Sequence, residues 1–570
     1  MLKQRKASLG PWPLGIVNSK RDYVLPEGSC LDALNIDFTD EGNAVSRSGY
    51  SETVAIDNGA GLSNQGEKVM IRNGSELGVV TAVNPLVITS LRAGLGTDPV
   101  SYAERGGEVW WSNGTASGRC NADNTDSPWA APAPLDLVSV ISGVGSLPPG
   151  DYRVCITHSM DDGEESHAST IESITLSTTG SIELTLPAAA SGTDNFVVYC
   201  TWGDGEVLQR ATTVSSVTAS VSITDLPEGR QIRDRAFLRP LPAGDAIAFH
   251  NGRLLSLKGE FLYYSRPYDY GLYNPAQDFI RLGATGSIVI SVESGVFVVA
   301  DRTWFYAGTD IATAEPVEKL PFGAASGTAF YHPDTTSPAV AGWYSDEGIV
   351  FGAGDGSVTL PQREKGFIAP VAQSGSAWVR ERDGMTHVVI SLDGTAAYSK
   401  KVSPDFTAAR QRYVDDSTTL CMNLANGATS RYSHWHFNSY ATIDGDEYGI
   451  DSVGMSLLEG SDDLGTYIFC ALDCGRVGFD SLNIKSPECV YVSGKSSTAM
   501  AVVIALPSGP TYSYPARTFS EAPLVVRFDG MKGLMNARLP WFSTVIINQS
   551  GGSMEVSAVQ VLINESTRMS

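Results

Sequence analysis

The run AIAFHNGRLLSLKGEFLYYSRPYDYGLYN, residues 246–274, decides the fold. Ile247 and Phe249 alternate with small or polar neighbours, and Asn251-Gly252 supplies a tight turn. Leu254, Leu255 and Leu257 begin a second run that ends at Lys258-Gly259, and a third run follows over 261–264. Period-2 apolar spacing cut by Asn-Gly and Lys-Gly predicts a meander of antiparallel strands, because a two-residue hairpin turn needs the positive φ values that Asn and Gly tolerate. Three strands joined in this way make most of one β-propeller blade.

The same unit recurs loosely at 101–114, 287–308, 340–360, 377–394, 434–449 and 466–480, with turns such as Glu347-Gly348, Asp355-Gly356 and Asp383-Gly384. These starts lie roughly 40 to 60 residues apart, near the blade period of propellers. No Trp-Asp or kelch signature repeats, so the blades are expected to be irregular. The expected fold class is an all-β, irregular β-propeller.

Composition agrees. The chain has 570 residues, 58 of them glycine, and charged residues make up 18 % of it, which suits a turn-rich β protein and leaves ample material for a large core. Its 63 acidic against 40 basic residues give a net charge of −23. That balance argues against general nucleic-acid binding through Lys and Arg, while leaving room for an acidic tunnel that DNA traverses without sticking. Cys30, Cys120, Cys155, Cys200, Cys421, Cys470, Cys474 and Cys489 show no Cys-x-x-Cys spacing and read as free thiols of a protein made in a reducing cytoplasm. The start MLKQRKASLGPWPLG lacks the apolar core of a signal peptide, and no run approaches the ~20 apolar residues of a membrane span.

Residues 1–24 read as an extended basic arm, carrying Lys3, Arg5, Lys6, Lys20 and Arg21 around Gly10-Pro11-Trp12-Pro13. From 25 to 50 the text is LPEGSCLDALNIDFTDEGNAVSRSGY, with Leu34, Ile36 and Phe38 alternating before a turn at 39–42 and a return through Ala44-Val45. The order Leu25-Pro26-Glu27-Gly28, Ala33-x-Asn35-x-Asp37, Gly42, Arg47-x-Gly49-Tyr50 resembles the opening of the tail nozzle, or tail hub, proteins of short-tailed bacteriophages. Gly15-Ile16-Val17-Asn18 upstream fits as well. Ser46, Arg47 and Ser48 stand where that family carries two basic residues before its Gly-Tyr. The resemblance continues through Pro99-Val100-Ser101-Tyr102, Trp111-Ser112-Asn113-Gly114, Trp129, Pro240-Leu241-Pro242-Ala243-Gly244, His250-Asn251-Gly252-Arg253 and Tyr264-Ser265-Arg266-Pro267-Tyr268. It covers about half the chain and ends near Gly308.

The resemblance implies a structural virion protein, located in the phage tail and made in the host cytoplasm. It implies a homohexamer around the DNA exit channel, docked on the adaptor of the head-to-tail connector below the portal and meeting tail fibre or tailspike proteins. DNA would pass through without sequence-specific binding, retained until host contact and then released.

Between 135 and 236 the composition shifts to Ser, Thr and Val. Tyr152, Val154 and Ile156 alternate on one face before a hairpin at Asp161-Asp162-Gly163-Glu164-Glu165, and short runs follow at 174, 182–186, 196–200 and 221–223. This spacing predicts a small inserted sandwich of fibronectin-type-III-like or Ig-like kind. The expected organisation is thus an arm over 1–24, a first propeller part over 25–134, the insertion over 135–236, further blades over 237–480, and a C-terminal β segment over 481–570. Runs at 544–547 and 556–563 are expected to close the ring against the N-terminal strand, removing exposed sheet edges.

Chemistry-bearing patterns are sparse. The acidic knot at 161–165 lacks the alternating ligand spacing of a calcium loop and reads as a hairpin tip. His434-x-His436 puts two imidazoles on one strand face without a third ligand nearby, which favours packing over metal. Asp444-Gly445-Asp446-Glu447 reads as a turn, and the glycine-rich run 352–357 has neither the lysine nor the helix of a phosphate loop. Gly454-Met455-Ser456 and Gly551-Gly552-Ser553 begin a nucleophile elbow, but Leu458 and Glu555 replace its second glycine. No catalytic, metal or cofactor-binding residue is therefore assigned, and the chain is expected not to be an enzyme. The alternative is a tail-associated propeller that binds or cleaves host surface glycans through Trp110, Trp111, Tyr263, Tyr264, Tyr268, Tyr270 and Tyr273, although aromatics at strand spacing are more often core. A host scaffold propeller is a third reading, at odds with the missing signal peptide.

Overall fold

The structure, a computed structural model, describes residues 2–20, 25–160, 164–190, 192–232, 237–332, 340–393, 419–435, 437–477, 483–505, 511–520, 522–529, 542–548 and 551–569. Among these, strands supply nearly all of the regular secondary structure, with one short helix at Pro361–Lys365.

Among the described residues, seven antiparallel four-stranded units form the propeller. In chain order, blades 1 to 6 occupy 60–92, 101–127, 246–281, 288–320, 330–359 and 374–432; blade 7 takes 439–457. Each blade's apolar side chains wedge against the next. Met70 and Leu77 of blade 1 pack with Val109 and Trp111 of blade 2, and Trp110 of blade 2 packs with Ile247 and Leu254 of blade 3. Strand alternation explains how one strand serves two neighbours: in blade 4, Val289 turns to Leu255 of blade 3 while Ile288 and Ile290 turn to Trp343 of blade 5. The circle closes where Ala441 and Ile450 of blade 7 meet Leu62 and Ile71 of blade 1. The Asn251-Gly252 turn has φ values of 41° and 82°, as its hairpin requires.

Ring closure differs from the expectation. The outermost strand of blade 7 is Ser51–Ala55, antiparallel to Gly454–Leu457, so an N-terminal strand completes the last blade without help from the C-terminus. The strands Phe542–Asn548 and Met554–Met569 belong instead to a second sandwich. One of its sheets runs Ile36–Phe38, Ala44–Ser46, Met554–Met569, Asn483–Ser496, Leu524–Phe528. The other contains Cys470–Val477, Phe542–Asn548 and Ala499–Ala505, and is continuous with blade 6 through Asp32–Leu34. Long apolar alternation drives this: Val490, Val492, Val502, Ile504, Ile546, Val559, Val561 and Ile563 are all fully buried between the sheets.

The N-terminal arm is also placed. Leu2–Leu9 pairs along its length with Met554–Met569, Arg5 meets Glu565 at 2.6 Å, and Trp12 is fully buried. Lys3, Arg5 and Lys6 therefore sit on a sheet edge, where charge discourages further pairing, while Lys20 lies beyond that strand and Arg21 outside the described residues.

Between blades 2 and 3 lies the inserted β-sandwich. Ser139–Leu147, Gly180–Thr185 and Ser220–Ile223 form one sheet; Glu172–Leu176, Gly150–Ser159, Asn195–Cys200 and Gln209–Ser215 form the other. Tyr152, Val154 and Ile156 share its core with Leu147, Ile182, Phe196 and Val198.

Candidate functional site

The densest cluster of buried charge lies where blade 6 and the second sandwich meet, on the segment 32–50. Asn35 takes a left-handed φ of 56° that turns its amide inward. Its Nδ2 donates to Ser433 Oγ and to the Phe469 carbonyl at 2.9 and 2.8 Å; its Oδ1 accepts from Ser433 N and Arg47 Nε, both at 2.9 Å. Arg47 is buried and spends all five of its N–H donors: on Asn35, on both oxygens of Asp463 at 2.9 and 2.6 Å, and on the carbonyls of Ser48 and Ser433. Its guanidinium lies 4.9 Å from the Trp435 ring centroid.

Gly49 has no room for a side chain, since a Cβ there falls 1.9 Å from the Asp462 carbonyl oxygen, and Tyr50 packs edge-on against Trp435 and Phe437. Gly15 and Gly42 admit backbone at similar range, against Thr429 and Pro13. Asp32 forms a bidentate pair with Arg431, both contacts 2.8 Å.

Blade 6 supplies the other half. Arg380 and His387 are cross-strand partners and so share a sheet face, which looks onto 36–40. Arg380 donates to Asp37 and to Tyr432 Oη, and Tyr432 donates to Asp37. Burial alone would raise the Asp37 carboxyl, but Arg380, His387 and the Tyr432 hydroxyl together hold it below the usual range. Burial lowers the His387 imidazole, which outweighs the opposing pull of Asp37 and keeps the ring neutral at pH 7. Its Nε2 lies 2.9 Å from the Phe38 carbonyl, a contact that requires the Nε2–H tautomer. A cavity of about 200 Å³ opens beside this cluster, lined by Arg47, Arg380, Arg382, Asp383 and His387, among others. Chemically, the arrangement is a brace: carboxylates, guanidiniums and amides are matched to one another across a domain junction.

The sequence patterns considered for chemistry are scattered. Asp161, Asp162 and Gly163 lie outside the described residues, as does His436. Glu165 is buried, accepting from Thr157 and Tyr199 and pairing with Arg230, while Glu164 pairs with Arg119. Asp444-Gly445 is a positive-φ hairpin turn of blade 7, and Ala353–Ser357 closes a hairpin of blade 5. Ser456 lies in the strand Gly454–Leu457 facing Glu52, and Ser553 lines the junction cavity. Trp110 and Trp111 are core, whereas Tyr268 stands exposed with a φ of 58°. All eight cysteines are free and buried, with Cys155 and Cys200 each pushed up to about 12 by burial. Among the described residues no group of three or more His, Cys, Asp or Glu is disposed to hold a metal ion, and no helix is long and apolar enough to cross a membrane.

The partners Asp463, Arg380, His387 and Arg431 were not singled out by sequence reasoning. Each lies more than 340 residues from its mate, and the one available signal was the unexplained density of polar residues in 32–50.

No family model matches this chain, and no curated protein matches it. Among solved structures it is similar to BBS1N in its complex with ARL6DN (11 % identity, TM-score 0.26, 61 % of this chain and 95 % of that one). It is also similar to Hsv2 of Kluyveromyces lactis (10 %, 0.22, 57 % and 86 %). A third is a glycoside hydrolase family 43 arabinoxylan arabinofuranohydrolase of Bacillus subtilis (8 %, 0.18, 67 % and 93 %). At these scores none of them bears on what this chain binds or does.

Proposed function

We propose that this chain is an architectural ring subunit, a tail nozzle or hub protein of a short-tailed bacteriophage, that assembles as a homo-oligomer, a hexamer, around the DNA exit channel. In this reading it docks on the adaptor of the head-to-tail connector, meets tail fibre or tailspike proteins, and retains and then releases DNA. The observation that carries the reading is the use made of the motif residues. Asn35, Asp37, Arg47, Gly49 and Tyr50, which carry the resemblance to such proteins, are spent on bracing the propeller to the second sandwich. A subunit under the pressure of packed DNA needs such a junction, because parting the two bodies would break the backbone ladder that Asp32–Leu34 shares with both of them. The net charge of −23 fits a conduit that repels the phosphate backbone. The role asks for no catalytic group and no cofactor.

Electron microscopy of the purified chain and of particles tests this: a ring on the tail axis is expected, and a monodisperse monomer absent from particles overturns it. A glycan-binding propeller is favoured by one feature, the partly exposed aromatic cluster of Phe261, Tyr263, Tyr273 and Phe279 on blade 3. A glycan-array screen with Tyr263→Ala as control separates the two readings.

A further inference from the structure

The three-stranded sheet of the inserted sandwich has two open edges, Ser139–Leu147 on one side and Ser220–Ile223 on the other, both paired only to Gly180–Thr185 among the described residues. Several open edges elsewhere carry charge: Lys3 and Lys6 on Leu2–Leu9, Glu52 on Ser51–Ala55, Arg92 on Leu86–Arg92, Arg210 on Gln209–Ser215 and Arg281 on Phe279–Arg281; the uncharged end strands Ala60–Gln65, Ala246–His250, Ile288–Val292 and Ser439–Ile443 are first strands of propeller blades and are covered by neighbouring blades. Such charges are the usual protection against strand addition. The two edges of this sheet, SVISGVGSL and SVSI, carry no charged residue and no proline. Apolar side chains stand out beside both of them: Val138 is 66 % and Ile141 58 % exposed on one side, and Val217 90 % on the other. A bulge between Gly143 and Leu147 ends the flat run, so the usable edge Ser139 to Gly143 nearly matches Ser220–Ile223 in length.

We propose that this sheet is continued from copy to copy, the 139–143 edge of one subunit adding to the 220–223 edge of the next. Both edge strands are antiparallel to Gly180–Thr185 and therefore parallel to each other, so every copy offers one edge of each kind in the same direction. Identical surfaces of a chain with net charge −23 repel, and edge strands with no charge of their own keep that penalty low, the Glu183 carboxylate between them being held by Ser181 and Ser222. Head-to-tail contacts of this kind generate rings when the rotation closes. The inference deepens the ring reading, on which it rests for the identity of the occupant, by naming the surface that joins neighbours.

The test uses the full chain. Ile141→Lys and Ser220→Lys each place a cation on an exposed edge position and are expected to convert the assembly to monomers by mass photometry, with the far-UV circular dichroism spectrum unchanged; Ile141→Thr is expected to assemble normally. In a cysteine version, Ile141→Cys and Ser222→Cys, positions that both stand opposite Glu183 and so share one face of the sheet, give chains that crosslink when mixed, and neither crosslinks to itself. Assembly of the lysine variants equal to wild type overturns the seam and leaves the ring reading standing. Self-crosslinking of Ile141→Cys alone overturns the head-to-tail arrangement. A wild-type chain that stays monomeric and is absent from particles overturns both.

Discussion

The two sandwiches of this chain meet the propeller on different terms. The second one shares a continuous sheet with blade 6, receives strands from both chain ends, and is locked by Arg47–Asp463, Arg431–Asp32 and Arg380–Asp37. The inserted one closes its own apolar core and touches blade 2 through the ion pair of Arg119 with Glu164, whose side chains are partly exposed on the acid's side. One is fused and the other appended. Fusion concentrates buried polar matching at the junction, while a module with its own core leaves its sheet edges free for another purpose.

The sharpest way to break this contrast is Arg47→Met. It leaves Asp463 buried without its partner, and a loss of about 3–5 kcal/mol is expected. Because the junction is shared, blade 6 and the second sandwich should lose protection together in hydrogen exchange, with the insertion unaffected. Phe196→Ala probes the opposite side. It removes a fully buried ring of the inserted core, costing about 3–5 kcal/mol there. A separate early calorimetric transition is expected, with the propeller melting as in wild type; a single lowered transition would show that the insertion is not an independent unit.

Acid should act on both bodies. His158, His167, His250 and His387 are all lowered by burial, so the unfolded chain takes up protons first as pH falls below about 6.5. Their contribution is complete above that value and is lost progressively toward their folded values. Asp37, held low by Arg380, adds a second loss only below about pH 4. Melting temperature is therefore expected to fall from pH 7 to 5, and His387→Gln should flatten part of that fall in the propeller transition alone. The smallest effect is expected for Arg281→Ala, whose pair with Glu260 is exposed on both sides; a change of about 0–1 kcal/mol is anticipated by urea denaturation.

Much of the local structure was legible beforehand. The meander over 246–264 folds as its turns dictate, with Ile247 packing toward blade 2 and Leu255 toward blade 4, and Tyr152, Val154 and Ile156 enter one core as their alternation requires. The hairpin of Ile36–Phe38 and Ala44–Ser46 also forms, but in the second sandwich and not in a blade. Period-2 spacing states that a strand has a buried face; it does not say which sheet supplies the cover. The junction was the least legible part, because Asn35, Asp37 and Arg47 look like turn and surface residues until Ser433, Arg380 and Asp463 arrive from far along the chain.

What the sequence determined by itself is local: where strands begin and stop, which side chains alternate inward, and that the chain is acidic, since these depend on backbone sterics and composition within a few residues. What the tertiary structure alone decided is the choice of partners. Ser51–Ala55 closes blade 7 against Gly454–Leu457, and Leu2–Leu9 lies along Met554–Met569, because strand pairing over hundreds of residues is selected by ring geometry and shared core, which no local pattern encodes.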